Sequence, residues 1–248
     1  ELIAPQPIVI DLNVIPHGGG FAVSCHGDTT GVVDATVHGG SMPLTYQWNG
    51  PDGFTSSDAD LNGVGAGMYY LLVTDASGCT GTASVSLSEP TGVNTISSLS
   101  DAGNGYQLSC LNNDGSIYIT ASGGQTPYQF DWNGPNGFAS LDQNLTDPGA
   151  GEYVLILIDA NGCASTDTFL LAAPAPLSAS LTLGGNICDG TDDGSIDLQL
   201  AGGVAPYSFN WTGPNSFTAT TEDISALPSG TYTVSVNDAG TCSGTWNA

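Results

Sequence analysis

The sequence predicts an all-β protein made of three tandem Ig-like β-sandwich repeats in a rod-like array. Three observations predict it: a motif that occurs three times, short segments that alternate apolar and polar residues, and turns rich in Gly, Pro and Asn. No segment has the apolar periodicity of a helix. Seven or so short strands in roughly 80 residues are typical of a β-sandwich.

The repeated motif begins with Gly-Gly, continues into a short strand with large residues at alternate positions, and ends in a Gly-Pro turn. Its copies are residues 39–54, 123–138 and 202–217. Because side chains alternate along a strand, the Trp of each copy is predicted to face a core, as is the Tyr that heads a later strand. The predicted core aromatics are Trp48, Trp132, Trp211, Tyr69, Tyr153 and Tyr232. Stacking of the Trp rings on sugars is the alternative, which their strand positions disfavour.

Prolines that directly follow apolar strands mark the predicted repeat boundaries. Proline cannot donate to a ladder, so it suits a strand end or a stiff linker. The predicted domains are residues 1–90, 91–174 and 175–248, the third being C-terminally incomplete. The short linkers predict a semi-rigid rod, and we expect the sequence to be a mature piece of a longer array.

The six cysteines fall into one early and one late cysteine in each repeat. Their spacings are 54 positions (25 to 79), 53 (110 to 163) and 54 (188 to 242). Six cysteines allow about 15 pairings, but a repeated unit favours pairing inside itself. The predicted disulfides are Cys25–Cys79, Cys110–Cys163 and Cys188–Cys242, each stabilising by roughly 4 kcal/mol. Disulfides indicate a location outside the cytoplasm, whereas the clustered spacings of a metal site are absent.

The charge of the chain excludes several classes of partner. It has 24 Asp and Glu, no Lys or Arg, and a net charge of −24. Such a chain repels phosphate backbones and anionic lipids, so we expect no nucleic-acid binding. No apolar run reaches the roughly 20 residues that span a bilayer, so we expect no membrane insertion.

Acidic residues beside the early cysteines are candidate Ca²⁺ ligands, because hard cations prefer carboxylate and carbonyl oxygens. These candidates are Asp28, Asp114, Asp189, Asp192 and Asp193. The alternative is that they accept backbone N–H groups of their own turns. The same two roles apply to Asp75, Asp159 and Asp238, where the turn role is favoured. No other cofactor is predicted.

Three motifs together resemble a known family. They are an early Cys before an Asp-Gly-type turn, Gly-Gly-x-x-Pro-Tyr-x-Phe-x-Trp, and Gly-x-Tyr-x-Val-x-Val-x-Asp-x-x-Gly-Cys, with residues 110–117 and 151–163 fitting best. The chain resembles a run of SprB repeats, the modules of large gliding and surface adhesins of Bacteroidetes-type bacteria. It departs from them at residues 44–45, at Ser216 and at residues 240–241. PKD-type domains are the closest rival.

The resemblance implies secretion to the cell surface, an adhesive or filament role, and no catalytic residue. We therefore expect a non-catalytic extracellular repeat segment of a cell-surface adhesin or filament. It would form a rigid stalk that presents variable loops (residues 55–64, 139–148 and 218–228) to surface glycans, proteins or other cells. One alternative is a self-assembling filament subunit that donates residues 1–13 as a strand to a neighbouring chain. The other is an accessory module of a secreted hydrolase.

Overall fold

The computed structural model describes residues 6–110, 114–185, 192–240 and 242–248, and its strands confirm the predicted all-β fold. The strands fall into three sets of seven, and the helical elements among the described residues are short 3-10 turns. The first set is β1 (Val9–Val14), β2 (Gly31–His38), β3 (Thr45–Asn49), β4 (Thr55–Ser56), β5 (Leu61–Val64), β6 (Gly67–Thr74) and β7 (Thr80–Leu87).

The second and third sets repeat this order. The second set is β8 (Asn94–Leu99), β9 (Ser116–Ser122), β10 (Gln129–Asn133), β11 (Ala139–Ser140), β12 (Leu145–Thr146), β13 (Gly151–Ile158) and β14 (Ala164–Leu171). The third set is β15 (Ser178–Gly184), β16 (Gly194–Ala201), β17 (Ser208–Thr212), β18 (Thr218–Ala219), β19 (Ile224–Leu227), β20 (Thr233–Asn237) and β21 (Ser243–Asn247). The third repeat thus has a counterpart of every strand, although β21 has five residues where β7 and β14 have eight.

Each set of seven strands forms a three-stranded and a four-stranded sheet, so the chain consists of tandem Ig-like β-sandwich repeats. In the first repeat the strand orders are β1-β2-β5 and β4-β3-β6-β7, and the same orders recur in the other two. β1 pairs with β2 along all six of its residues, from Val9 opposite His38 to Val14 opposite Val33. Donation of residues 1–13 to a neighbouring chain would therefore have to break this pairing.

The folded chain groups into two compact units that do not follow the predicted repeat boundaries. The first unit comprises Glu1–Ile96, Thr120–Asp131 and Leu155–Asp167. The second comprises Ser97–Ile119, Trp132–Val154 and Thr168–Ala248. Repeat one thus shares a unit with part of repeat two, and repeat three with the remainder. The boundaries after residues 90 and 174 stay predictions.

The Trp residues of the repeated motif are completely buried. Trp48 belongs to one buried cluster with Val33 of β2 and Leu71 of β6, so the cluster draws on both sheets of the sandwich. Its indole N–H donates to the carbonyl oxygen of Asp58 at 3.1 Å. Burial of the ring is therefore achieved without an unsatisfied donor. Trp132 and Trp211 make the equivalent bonds, to the carbonyl oxygens of Asp142 at 2.9 Å and Thr221 at 3.0 Å.

The predicted core tyrosines are also buried, each with 3% of its surface exposed. Each hydroxyl donates at 3.0 Å to the carbonyl oxygen four residues earlier; the pairs are Tyr69 with Gly65, Tyr153 with Gly149, and Tyr232 with Pro228. Burial raises the pKa of all three phenols, because the charged form would be poorly solvated there. Each hydroxyl therefore stays protonated and donates, and its hydrogen bond fixes the backbone four residues before the tyrosine.

Replacing Trp48 by Ala should lower the free energy of unfolding by about 3–5 kcal/mol, because it removes a large ring from a fully packed cluster. The matched control is Tyr70→Ala, since Tyr70 follows Tyr69 on β6 but is 56% exposed. Urea unfolding followed by circular dichroism measures both variants. Equal losses in the two variants would contradict a core role for Trp48.

Candidate functional site: loop tips and cysteine joints

The predicted variable loops carry the chain from one sheet of each sandwich to the other. In repeat one, β4 pairs with β3 in the four-stranded sheet and β5 pairs with β2 in the three-stranded sheet. The residues between the two short strands form an exposed tip, residues 57–60. The equivalent tips are residues 141–144 and 220–223.

Each tip is held at its second and fourth positions. The second position offers its backbone carbonyl oxygen to the indole N–H of the buried Trp. The fourth position offers a side-chain oxygen to a backbone N–H of the central strand of the other sheet. Those bonds are Asp60 to Ala35 at 2.8 Å, Asn144 to Ile119 at 2.8 Å, and Asp223 to Leu198 at 3.0 Å. The first and third positions carry no such constraint shared by all repeats.

The side chains at the first and third positions differ in size and polarity, and among them Gln143 also donates its side-chain amide to the carbonyl oxygen of Ile119 at 2.7 Å. The first positions are Ser57, Leu141 and Thr220, and the third positions are Ala59, Gln143 and Glu222. All six are exposed, and Leu141 has 79% of its surface accessible. A constant backbone therefore presents a different pair of side chains in each repeat.

A second recurrent feature is an Asp whose carboxylate accepts backbone N–H groups on both oxygens. Asp75 Oδ1 accepts the N–H groups of Ser77 and Cys79 at 2.8 Å each, and Oδ2 accepts that of Ser41 at 2.9 Å. Asp75 is almost fully buried. The hydrogen bond from Ser41 lowers the pKa of Asp75 most, burial opposes it, and the bonds from Cys79, Ser77 and Gly78 lower it further.

Asp159 and Asp238 occupy the same position in the other repeats. Asp159 accepts the N–H groups of Asn161, Cys163 and Gln125, each at 2.8 Å. Asp238 accepts that of Cys242 at 2.7 Å and that of Val204 at 2.7 Å. These carboxylates therefore join the hairpin turn before the last strand to the Gly-Gly turn, which is the structural role that the sequence favoured for them.

The candidate Ca²⁺ ligands are placed differently. Asp28 accepts the Ser24 hydroxyl at 3.3 Å, and Asp114 accepts both the N–H and the hydroxyl of Ser109, at 3.1 and 2.5 Å. Asp192 and Asp193 are exposed, and Asp189 lies outside the described residues. Within the described part of the chain, the group whose ligand atoms lie close enough together to hold a metal ion is Cys110, Asp238 and Cys242. The two cysteines of this group are bonded to each other in a disulfide. A Ca²⁺ site stays a prediction.

The predicted disulfide pairing is wrong in the described part of the chain. Cys25 is bonded to Cys163 and not to Cys79, and Cys110 is bonded to Cys242 and not to Cys163. The predicted Cys188–Cys242 bond is excluded by the second of these, while Cys188 itself lies outside the described residues. Cys79 is a free, exposed cysteine.

The last strand of each sandwich explains the correction. The N–H groups of Ala22 and Val23 donate to the carbonyl oxygen of Ser88, which places the early-cysteine segment at the C-terminal end of β7. Cys79 directly precedes β7, whose eight residues separate its ends by roughly 25 Å. A disulfide requires the two Cα atoms to lie within about 7 Å. The two cysteines of one repeat therefore stand at opposite ends of its sandwich.

The early cysteine instead meets the late cysteine of the following repeat. Around the Cys25–Cys163 bond, the Asn161 side-chain amide donates to the carbonyl oxygen of Ser24 at 3.1 Å. Nearby, Glu89 accepts the N–H of Gly27 at 2.7 Å and pairs with His26 at 2.8 Å. Gly18 has no room for a side chain, because a Cβ there would collide with the Asn161 carboxamide oxygen. We call this contact the cysteine joint.

Comparison with known proteins agrees with this architecture. The fold defines the class as tandem Ig-like β-sandwich repeats, which are repeat modules and not a catalytic family. Residues 23–53, 106–137 and 186–216 match the SprB repeat family. The chain therefore matches the SprB repeat model at three places, as the resemblance in its motifs predicted. No curated protein matches the chain. In its described residues, no helix is both long and apolar enough to cross a membrane.

Several solved Ig-domain structures match the chain, each at low identity and with a TM-score below 0.5. The N-terminal eight Ig domains of DSCAM isoform 1.30.30 are 10% identical with a TM-score of 0.35, over 88% of this chain and 51% of that one. Dpr2 Ig1-Ig2 in complex with DIP-Theta Ig1-Ig3 is 9% identical with a TM-score of 0.32, over 88% of this chain and 92% of that one. The amphioxus IgVJ-C2 molecule is 16% identical with a TM-score of 0.26, over 62% of this chain and 94% of that one.

Replacing both Cys25 and Cys163 by Ser should lower the free energy of unfolding by up to about 5 kcal/mol, since the bond closes a loop of 138 positions. Cys79→Ser is the matched control and should leave the urea midpoint unchanged, because Cys79 is free. Equal destabilisation by Cys79→Ser and by the double variant would contradict the Cys25–Cys163 bond and would favour the bond between Cys25 and Cys79 that the sequence predicted.

The contribution of Asp75 to stability should disappear in acid. Its pKa is lowered in the folded state, so its contribution is fully present above the ordinary carboxyl pKa. It is lost as the pH falls through the lowered folded value. The difference in melting temperature between the wild type and Asp75→Asn, measured from neutral to strongly acidic pH, should therefore shrink. The control, Asp34→Asn at an exposed site on β2, should show no such trend; a pH-independent difference for Asp75→Asn would refute the role.

Proposed function

We propose that the chain is a non-catalytic extracellular repeat segment of a cell-surface adhesin, in which the sandwiches space and present the loop tips for adhesion. The single observation that carries the proposal is the division of each repeat into a constant scaffold and a divergent tip. The anchoring atoms at tip positions two and four recur in every repeat, while positions one and three differ and face solvent.

Two further observations support an extracellular setting. Three segments of the chain match the SprB repeat family, and this resemblance implies a place on the cell surface. Its two disulfides join segments that are far apart in the sequence, and such bonds persist in oxidising compartments. Partners of this segment would be surface glycans, surface proteins or other cells.

Adhesion by such tips would be weak for each repeat and strong for the array. A tip of four residues buries little area, so its individual affinity is low. Several tips on one chain engage together, and each further contact then forms at high effective concentration. The net charge of −24 directs the tips toward neutral or cationic surfaces, because an anionic surface repels the chain.

Leu141→Ser should reduce the retention of chain-coated beads under flow on neutral cellulose and dextran films, because it removes the largest exposed apolar side chain of a tip. The matched control is Leu170→Ser: Leu170 is also a strongly exposed leucine, at 64% against 79% for Leu141, but it lies on β14 and outside the tips. Wild-type beads that fail to adhere to any of these surfaces would count against the proposal. Equal losses of bead retention in the two variants would show that the tips are not the adhesive site.

A further inference from the structure

The outer face of the four-stranded sheet in repeat one carries an exposed tyrosine between polar side chains. Six residues form two rows across β3, β6 and β7, and the residues that pair directly in each row are Asn49, Tyr70 and Ser84, and Gln47, Leu72 and Thr82. Side chains alternate along a strand, so all six share the face that points away from the buried Trp48. We call these six residues the Tyr70 face.

The Tyr70 face is open to solvent and concave. Five of its residues are exposed and Leu72 is half-buried, while the Tyr70 side chain is on a residue with 56% of its surface accessible. A groove of about 430 Å³ lies there, lined by residues of both rows and by the neighbouring residues of β6 and β7. This volume falls in the range of small-molecule sites, roughly 300–1,000 Å³.

The Tyr70 face has no charged side chain, although the chain has 24 Asp and Glu. The same face in repeat two has Asp131 in place of Gln47 and Val154 in place of Tyr70. In repeat three, Thr233 takes the place of the tyrosine. The aromatic residue at this position is therefore particular to repeat one, where a carboxylate is also absent from the rows.

These features favour a neutral ligand with both apolar and hydroxyl surfaces. A cationic ligand would be drawn to the carboxylates elsewhere on the chain, and an anionic one would be repelled by the net charge of −24. The Tyr70 ring offers a flat apolar surface. Adjacent strands lie about 4.8 Å apart, so the Asn49 amide and the Ser84 hydroxyl flank the ring on its two sides. Both groups donate and accept hydrogen bonds.

We propose that the Tyr70 face binds a neutral glycan, with the C–H face of one hexopyranose ring stacked on Tyr70. Hydroxyl groups at the rim of that sugar hydrogen-bond to Asn49 and Ser84. The second row lies about 7 Å farther along the strands, and there Gln47 and Thr82 receive hydroxyl groups of the neighbouring sugar. The site is on a sheet and not at the loop tips, so this proposal and adhesion by the tips can fail separately.

Native gel electrophoresis with a neutral polysaccharide dissolved in the gel tests the site, since a chain of charge −24 migrates without added detergent. The probes are mixed-linkage β-glucan, laminarin, dextran and galactomannan, and at least one should retard the wild type. Tyr70→Ala should lose this retardation, whereas Tyr70→Phe should keep it, because the ring remains. The matched control is Tyr118→Ala: Tyr118 is 51% exposed but lies on β9 of repeat two, and its loss should have no effect.

A second variant, Asn49→Ala, should weaken the retardation and tests the site without removing the ring. An unchanged urea midpoint for Tyr70→Ala, which is expected of an exposed residue, separates lost binding from lost folding. Leu141→Ser should be retarded like the wild type, which separates this site from the tips. Added salt should leave the retardation unchanged, because the ligand carries no charge.

Four results would overturn the proposal. The first is a wild-type chain that none of the neutral probes retards. The second is equal retardation of the wild type and Tyr70→Ala. The third is a loss of retardation in Tyr118→Ala or Leu141→Ser as large as that in Tyr70→Ala. The fourth is retardation of the wild type by the anionic polysaccharide alginate as strong as by the neutral probes.

Discussion

The carboxylates inside this fold have to be stabilised by the backbone, because the chain has no Lys or Arg. Asp75 and Asp159 are buried, and their carboxylate oxygens accept hydrogen bonds from backbone N–H groups. Such bonds to a charged acceptor are stronger than neutral ones. Each Asp connects the turn before the last strand with the Gly-Gly turn that precedes the Trp strand. The orientation of the late cysteine and the start of the core both depend on this one side chain.

The large negative charge of the chain also limits how repeats can be held together. Like charges repel, and salt screens this repulsion only beyond about 10 Å at 0.1 M. Ion pairs with Lys or Arg are excluded by composition, and His26–Glu89 at the cysteine joint uses one of only three histidines. A disulfide is insensitive to salt and to moderate pH. Disulfides between repeats, rather than inside them, therefore connect neighbouring repeats by a bond that does not depend on attraction between their charges.

The features with a short-range cause could be predicted from the sequence. Alternation fixed the inward faces of Trp48 and Tyr69, because the side-chain period of a strand is two residues. The cysteine pairing could not be predicted in this way, since equal spacing says nothing about which end of a sandwich each cysteine occupies. The signal that was available is the length of the last strand: Cys79 directly precedes β7, and the eight residues of that strand carry the chain away from it. What the sequence did not show is that Ala22 and Val23 return to the far end of that strand.

In the loop tips, too, the fold restricts some positions and not others. At the second position the contribution that recurs in every repeat is the carbonyl oxygen, which any residue supplies, although Asp58 and Asp142 also accept the hydroxyls of Ser56 and Ser140. The fourth position requires a short side chain with an oxygen acceptor, as in Asp60, Asn144 and Asp223. Substitutions at positions one and three therefore leave both anchors of the crossover intact. Ser57 and Leu141 can differ so widely because neither packs in a core. With the exception of Gln143, which also donates to the carbonyl oxygen of Ile119, changes at these positions are thus separated from the hydrogen bonds that hold the tip, which lets each repeat of an array vary its tip independently.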